Sequence, residues 1–204
     1  MNRFDDYPAG AQRLILAAEQ LVAERGVDGT SVREILRRAR QGNNSAIYHH
    51  FGSKDKLIEA IYDLRQAEAD RARVAWLHAL GRSPRDLGEI LDALLRPVLK
   101  AFQGQRRRIF AQMILHLILT NPQNPIFREE RQPETTRHLN WLLRQCCPHL
   151  DDPLFHQRYT LAVLYLLQAA IYVGQRVAQG TLGHEDDEHF WNEIMQVVRD
   201  SIAA

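Results

Sequence analysis

From Gly10 onward the apolar residues recur about every 3.6 positions, and no run alternates apolar with polar residues between strand-type turn signals. A chain so patterned can fold only as packed helices, and the expected class is all-α. Leu14, Ile15, Ala18, Leu21 and Val22 form the stripe of a first helix, which Gly26 ends in a left-handed cap before the Asp28–Gly29 turn. Ser31 and Glu34 have capping-box spacing and open a second helix, with Val32, Ile35, Leu36 and Ala39 inward and Arg33, Arg37, Arg38 and Arg40 outward. Gln41 and Gly42 break it. Asn43 or Asn44 is the expected N-cap of a short third helix that runs to about His50 and is pinned by Ile47 and Phe51. Gly52 closes that helix and Ser53 caps a long fourth one, whose polar stretch beyond Leu64 reads as a bridge ending near Gly81.

Later boundaries follow the same signals. Ser83 and Pro84 are expected to open a helix through Phe102, with a kink or break at Pro97. Arg106 to Thr120 is strongly apolar and stops at NPQNP; Pro133 begins the next helix, which closes before Pro148. Asp152 and Pro153 are expected to start a helix of about 25 residues, apolar nearly all round from Tyr159 to Val173. Gly180 to Gly183 is a loop, and acidic Glu185 to Glu188 suits the start of a final helix striped by Phe190, Trp191, Ile194, Met195, Val198 and Ile202. The total is about nine helices. The expected division is an N-terminal arm at 1–10, a small head at 11–62 and a larger helical domain at 63–204. Surplus apolar surface on the last two helices predicts a subunit interface of four-helix-bundle type, through Tyr159, Ala162, Leu166, Ala170, Trp191, Ile194, Met195 and Val198.

Charge narrows the partners. With 26 Lys and Arg against 25 Asp and Glu the net charge is +1, so any polyanion must meet a local basic surface. Thr30 to Lys56 supplies one, with six Lys or Arg and two acids. Adjacent Cys146 and Cys147 are poorly placed for a structural disulfide or a zinc site and read as thiols of a reducing compartment. The first ten residues lack the apolar run of a signal peptide, and Tyr159 to Val173 falls short of the ~20 residues of a membrane span. The expected location is cytoplasmic, without membrane contact. No metal or cofactor is expected: His49 and His50 diverge by about 100° on a helix, and His184 and His189 read as flanks of a solvated helix start. No nucleophile, base and orienter combination appears, which argues against an enzyme. Arg106, Arg107 and Arg108 stand either as a solvated, ion-paired face or as a site for an anionic ligand or second DNA contact.

The run ERGVDGTSVREI at Glu24 to Ile35, the run NNSAIYHHF at Asn43 to Phe51 and the GSKDKL that follows resemble the DNA-binding domain of the tetracycline-repressor (TetR) family. The resemblance implies a helix-turn-helix head, with a short helix entering the major groove while its neighbour crosses the phosphates. The residues matched to DNA contact are Ser31, Arg33, Arg37, Gln41, Asn43, Asn44, Ser45, Tyr48, His49, His50 and Lys54. The sequence departs from the family pattern at the turn, where Arg40, Gln41 and Gly42 replace the common alanine, glycine and small apolar residue; Gln41 either reads a base or fills the turn. The resemblance also implies an effector pocket, for which Trp76, Phe102, Phe110, Met113, His116, Leu117, Trp141, Tyr165 and Tyr172 are candidates. The function it implies is a homodimeric regulator, a repressor that a small molecule releases from a palindromic double-stranded operator. The alternative is an all-α small-molecule sensor whose N-terminal unit contacts protein rather than DNA.

Overall fold

Residues 3–43, 45–121, 123–182 and 188–203 are described in a computed structural model of the chain. Among them lie nine α-helices, three short 3-10 turns and no strand. In chain order the helices are α1 (Ala9–Arg25), α2 (Val32–Arg38), α3 (Ala46–Phe51), α4 (Lys54–Leu80), α5 (Leu87–Ala101), α6 (Gln105–Thr120), α7 (Glu134–Gln145), α8 (Asp152–Ala178) and α9 (Glu188–Ala203).

Most ends are set by the residues that foretold them. Gly26 takes φ 73° and its N–H donates to the Val22 carbonyl at 2.8 Å. The Ser31–Glu34 capping box forms as spaced: Ser31 Oγ accepts from the Glu34 N–H at 3.2 Å and the Glu34 carboxylate accepts from the Ser31 N–H at 3.2 Å. Three starts move. α5 begins at Leu87, capped by Asp86, because Glu89 is clasped by the Arg82 guanidinium (2.6 and 2.7 Å) and the Arg85 N–H (2.9 Å), which folds Ser83 and Pro84 into the preceding loop. α8 is capped by Asp151 rather than Asp152, leaving Pro153 within its first turn. The Asn43 side chain accepts from the Ser45 N–H at 2.8 Å and so forms a turn ahead of α3 rather than its first turn. Asn44 lies outside the described residues, as do Pro122, His184 and Glu185 to Asp187. Pro97 neither ends nor splits α5: buried Ile90, Leu91, Leu94 and Leu99 hold the helix together across the missing N–H.

The described chain divides into two compact units: residues up to Glu68 with Gln112–Gln132, and Ala69–Ala111 with Pro133 onward. In the first, Leu14, Ile15, Val22, Ile35, Ile47, Leu57 and Ile61 pack α1, α2, α3 and the start of α4 around one core. Glu19 and Arg65 tie α1 to α4 within it by a buried two-point pair, both bonds 2.6 Å. The end of α6 and the turns after it belong to the same unit. His116 lies against Gly26, where a Cβ would meet its Nδ1 at 3.4 Å. Phe127 packs edge-on against Tyr62 at 5.6 Å, and Arg131 pairs with Asp63 (2.7 Å) and Glu59 (3.3 Å).

In the second unit α8 packs along α9, and α5 packs against both α7 and α9. Arg73 is buried and donates to the Leu94 carbonyl and to Thr136 Oγ1, both at 2.9 Å. Arg107 is buried too. It donates to the Leu99 and Phe102 carbonyls at the end of α5, and its guanidinium lies 5.2 Å from the Trp191 ring centre.

Candidate nucleic-acid interface

The head presents α2, the turn after it, and α3. Two of the arginines near α2 are neutralised by neighbours, Arg25 by Glu34 at 2.6 Å and Arg38 by Glu24 at 2.8 Å. The Ser31 hydroxyl, then the Ser31 N–H, hold the Glu34 carboxyl below its ordinary value, with Arg25 adding to the effect and burial opposing it. Arg33 and Arg37 are exposed, four residues apart on one stripe, and form no ion pair among the described residues. A pair of uncompensated guanidinium groups on a helix surface suits phosphate oxygens.

Beside that stripe, α3 turns Ala46 and Ile47 into the core and Tyr48 and His49 out; Tyr48 is 58% exposed. Ser45 is exposed just ahead of the helix and Asn43 sits in the turn. The α2 to α3 turn joins these residues to the helix that carries Arg33 and Arg37.

Three predicted contacts have inward duties. Gln41 donates its amide to the Gly10 carbonyl at 3.2 Å, filling the turn. His50 is half-buried against the same glycine, where a Cβ would lie 3.3 Å from its Nε2. Lys54 donates to the carbonyls of Val27 (3.0 Å) and Thr30 (3.1 Å), binding the α1 to α2 connection to the start of α4. Ser31 is exposed, with its hydroxyl engaged in the capping box.

The helix-turn-helix surface has counterparts. Residues 14–61 match the family described as bacterial regulatory proteins, tetR family. An HTH-type transcriptional repressor of Mycobacterium tuberculosis is 42% identical over 53 residues, 26% of this chain and 28% of the relative. The HTH-type transcriptional repressor AcnR of Corynebacterium efficiens is 39% identical over 71 residues, 34% of this chain and 35% of its own. The chain thus spans about a third or less of the curated relatives it matches. Beyond the head the likeness is one of fold. A TetR-family regulator from Marinobacter aquaeolei superposes with TM-score 0.62 at 20% identity, over 98% of this chain and 97% of its own. A TetR-like transcriptional regulator from a Rhodococcus species gives 0.52 at 21% identity, over 95% of this chain and 93% of its own.

The head carries the tetR-family sequence signature at residues 14–61, and the whole chain shares the fold of TetR-family structures. The head is matched by sequence and the remainder by fold alone.

The effector-pocket candidates are distributed over both units. Phe102 and Phe110 are buried and stack on each other at 4.4 Å between ring centres. Met113, His116 and Leu117 belong to the head's unit. Trp76 is half-buried, 5.4 Å beneath the Lys100 ammonium. Trp141, Tyr165 and Tyr172 are exposed, Trp141 stacked on His138 at 6.1 Å. The second unit instead has a cleft of about 220 Å³ lined by Arg96, Leu99, Lys100, Gln103, Arg107, Glu188 and Trp191. Sequence reasoning touched it only through Arg107, Glu188 and Trp191, since Arg96 and Lys100 look like ordinary surface charge in a helical pattern.

The residues expected at a subunit interface are covered within the chain. Ala162, Leu166, Ala170, Trp191, Ile194, Met195 and Val198 are buried within the chain, where α8 meets α9, and Tyr159 bonds Asn140 at 3.1 Å. The exposed apolar residues are Leu154, Leu161, Tyr165 and Tyr172 on α8 and Val197 on α9.

Proposed function

We propose that this chain is a DNA-binding transcriptional regulator of the repressor type, acting as a homodimer on a palindromic operator and releasing it when a small molecule binds. The observation that carries the reading is the uncompensated Arg33–Arg37 stripe beside the exposed Tyr48 and His49 face of α3. In this reading α2 supplies phosphate contacts and α3, preceded by Asn43 and Ser45, meets base edges in the major groove. Tyr48 contributes both an apolar ring and a hydroxyl there.

Palindromy follows from a two-fold dimer, whose reading heads address half-sites one helical turn, ~34 to 36 Å, or a multiple of it apart. The exposed stripe of α8 with Val197 of α9 is the proposed dimer surface. Release follows if the effector binds the DNA-incompetent arrangement more tightly, since equal affinity for both shifts nothing. α4 and α6 each begin in one unit and end in the other, so either can carry the change along its own length.

Selection of bound sequences from a random duplex pool tests the reading. The expected result is one enriched palindrome, bound with an affinity that falls steeply as salt rises. Absence of enrichment, with no retention on duplex at low salt, would overturn it in favour of a sensor whose head contacts protein.

A further inference from the structure

Among the described residues Arg40 is the only one other than glycine with a positive φ, at 52°. It follows α2 in the position that closes a helix: the Gln41 N–H donates back to the Leu36 carbonyl at 2.9 Å, which requires the residue between them to turn left-handed. Where α1, α3 and α4 end, the chain places Gly26, Gly52 and Gly81 in that conformation, with φ of 73°, 83° and 67°. At α2 it places an arginine, although a side chain in this region crowds its own backbone. A glycine is present two residues on at Gly42, but not in the left-handed region. Strain of this kind persists where a side chain has a task.

The side chain itself points to the task. Arg40 is exposed, and although its N–H donates to the Arg37 carbonyl, its side chain makes no hydrogen bond, ion pair or ring contact among the described residues. It continues the spacing of Arg33 and Arg37, by steps of four and three residues, past the end of the helix. Arg25 and Arg38, by contrast, are matched to Glu34 and Glu24. The backbone that carries Arg40 is fixed on its far side by the Gln41 to Gly10 bond. The sequence therefore keeps three uncompensated guanidinium groups in a row and anchors the turn that presents the third.

We propose that Arg40 is a DNA-contact residue, holding a backbone phosphate from the turn between α2 and α3. The proposal rests on the regulator reading above. Guanidinium suits the role because it stays charged and can engage two phosphate oxygens at once.

The test uses the full chain and the duplex recovered from the random pool, with Arg40→Gly, Arg40→Lys and Arg37→Ala compared at several salt concentrations. Arg40→Gly relieves the backbone, so its melting temperature should match or exceed that of the wild type. Its affinity for the duplex should nevertheless fall at least about tenfold, with the log-affinity against log-salt slope shallower by about 1.8, the value of two phosphate contacts, one from each subunit of the dimer. Arg40→Lys should recover part of the affinity without the gain in melting temperature. Wild-type affinity and slope in Arg40→Gly, alongside a loss in Arg37→Ala, would overturn the assignment of Arg40 alone. Failure of the wild type itself to bind duplex would overturn the regulator reading, and this one with it.

Discussion

Lys54 illustrates how far a side chain's duty can lie from its apparent one. As a cation at the start of a helix beside a DNA-reading element it invites a phosphate, yet its ammonium is bonded to the carbonyls of Val27 and Thr30. Those carbonyls close the connection from α1 to α2, and Lys54 holds them against α4. Replacing it with alanine should therefore cost stability, about 1 to 3 kcal/mol for the loss of charge-assisted bonds, read as a lower midpoint in urea unfolding. Lys54→Arg, which retains the charge, should lose less. An unchanged midpoint in Lys54→Ala would show that these bonds contribute nothing. Local signals at this scale were legible: the Ser31–Glu34 box and the Gly26 cap depend on partners three or four residues away. Lys54 and Gln41 were not, because their partners lie 24 to 31 residues off along the chain. The left-handed Arg40 was hidden differently, since helix propensity gives no sign of which residue will close a helix when the nearby glycine does not.

Elements were legible in number and order, and less so in what their polar faces do. Beyond Leu64, α4 reads as a solvated bridge, but Arg65 and Arg73 are both buried and consumed by bonds to other helices. The pattern that marks an exposed face also marks a face covered by polar partners, and only the fold separates them. For α1 and α4 the consequence is testable. Glu19→Ala leaves Arg65 buried without its two-point carboxylate and should cost about 3 to 5 kcal/mol, whereas Glu19→Leu with Arg65→Met should come close to the wild type; equal loss in both variants would show that the pair is not what matters. The start of α5 makes a second prediction. Arg82 foremost, then the Arg85 N–H, hold the Glu89 carboxyl down at about 2 from a usual 4.5. A depressed carboxyl adds stability above its unfolded value and loses it as pH falls toward the folded one. Melting temperature should thus decline on acidification from about pH 5 toward pH 2 partly through this residue, and Glu89→Gln should flatten the decline while starting lower at neutral pH. Because Glu89 lies at the surface the difference will be small, and it should shrink further in high salt.

At the scale of the whole molecule, the sequence supports the all-α class and the resemblance supports a head followed by a larger helical part. What neither foretold is that Gln112–Gln132 belongs with the head, through His116 on Gly26, Phe127 on Tyr62 and Arg131 on Asp63. An apolar helix such as α6 gives no indication in its own pattern of which neighbour it covers. The same limit applies to the proposed dimer surface. α8 has apolar residues almost all round, and by length and composition alone would pass as a membrane span. Periodicity therefore could not say which side faces α9 and which stays uncovered. The fold assigns Ala162, Leu166 and Ala170 to the inner side and leaves Leu161, Tyr165 and Tyr172, at steps of four and seven, on the outer one. The two sets make opposite predictions. Tyr165→Asp with Leu161→Asp should leave helix content and melting intact while converting a dimer to a monomer by light scattering, and should weaken binding to a palindrome more than to a half-site. Trp191→Asp should instead place a charge inside the chain's own core, next to the Arg107 guanidinium, and lower the melting temperature in whatever oligomer remains. A dimer unaffected by the double substitution on α8 would move the subunit contact elsewhere on the second unit, and with it the two-fold axis from which operator palindromy follows.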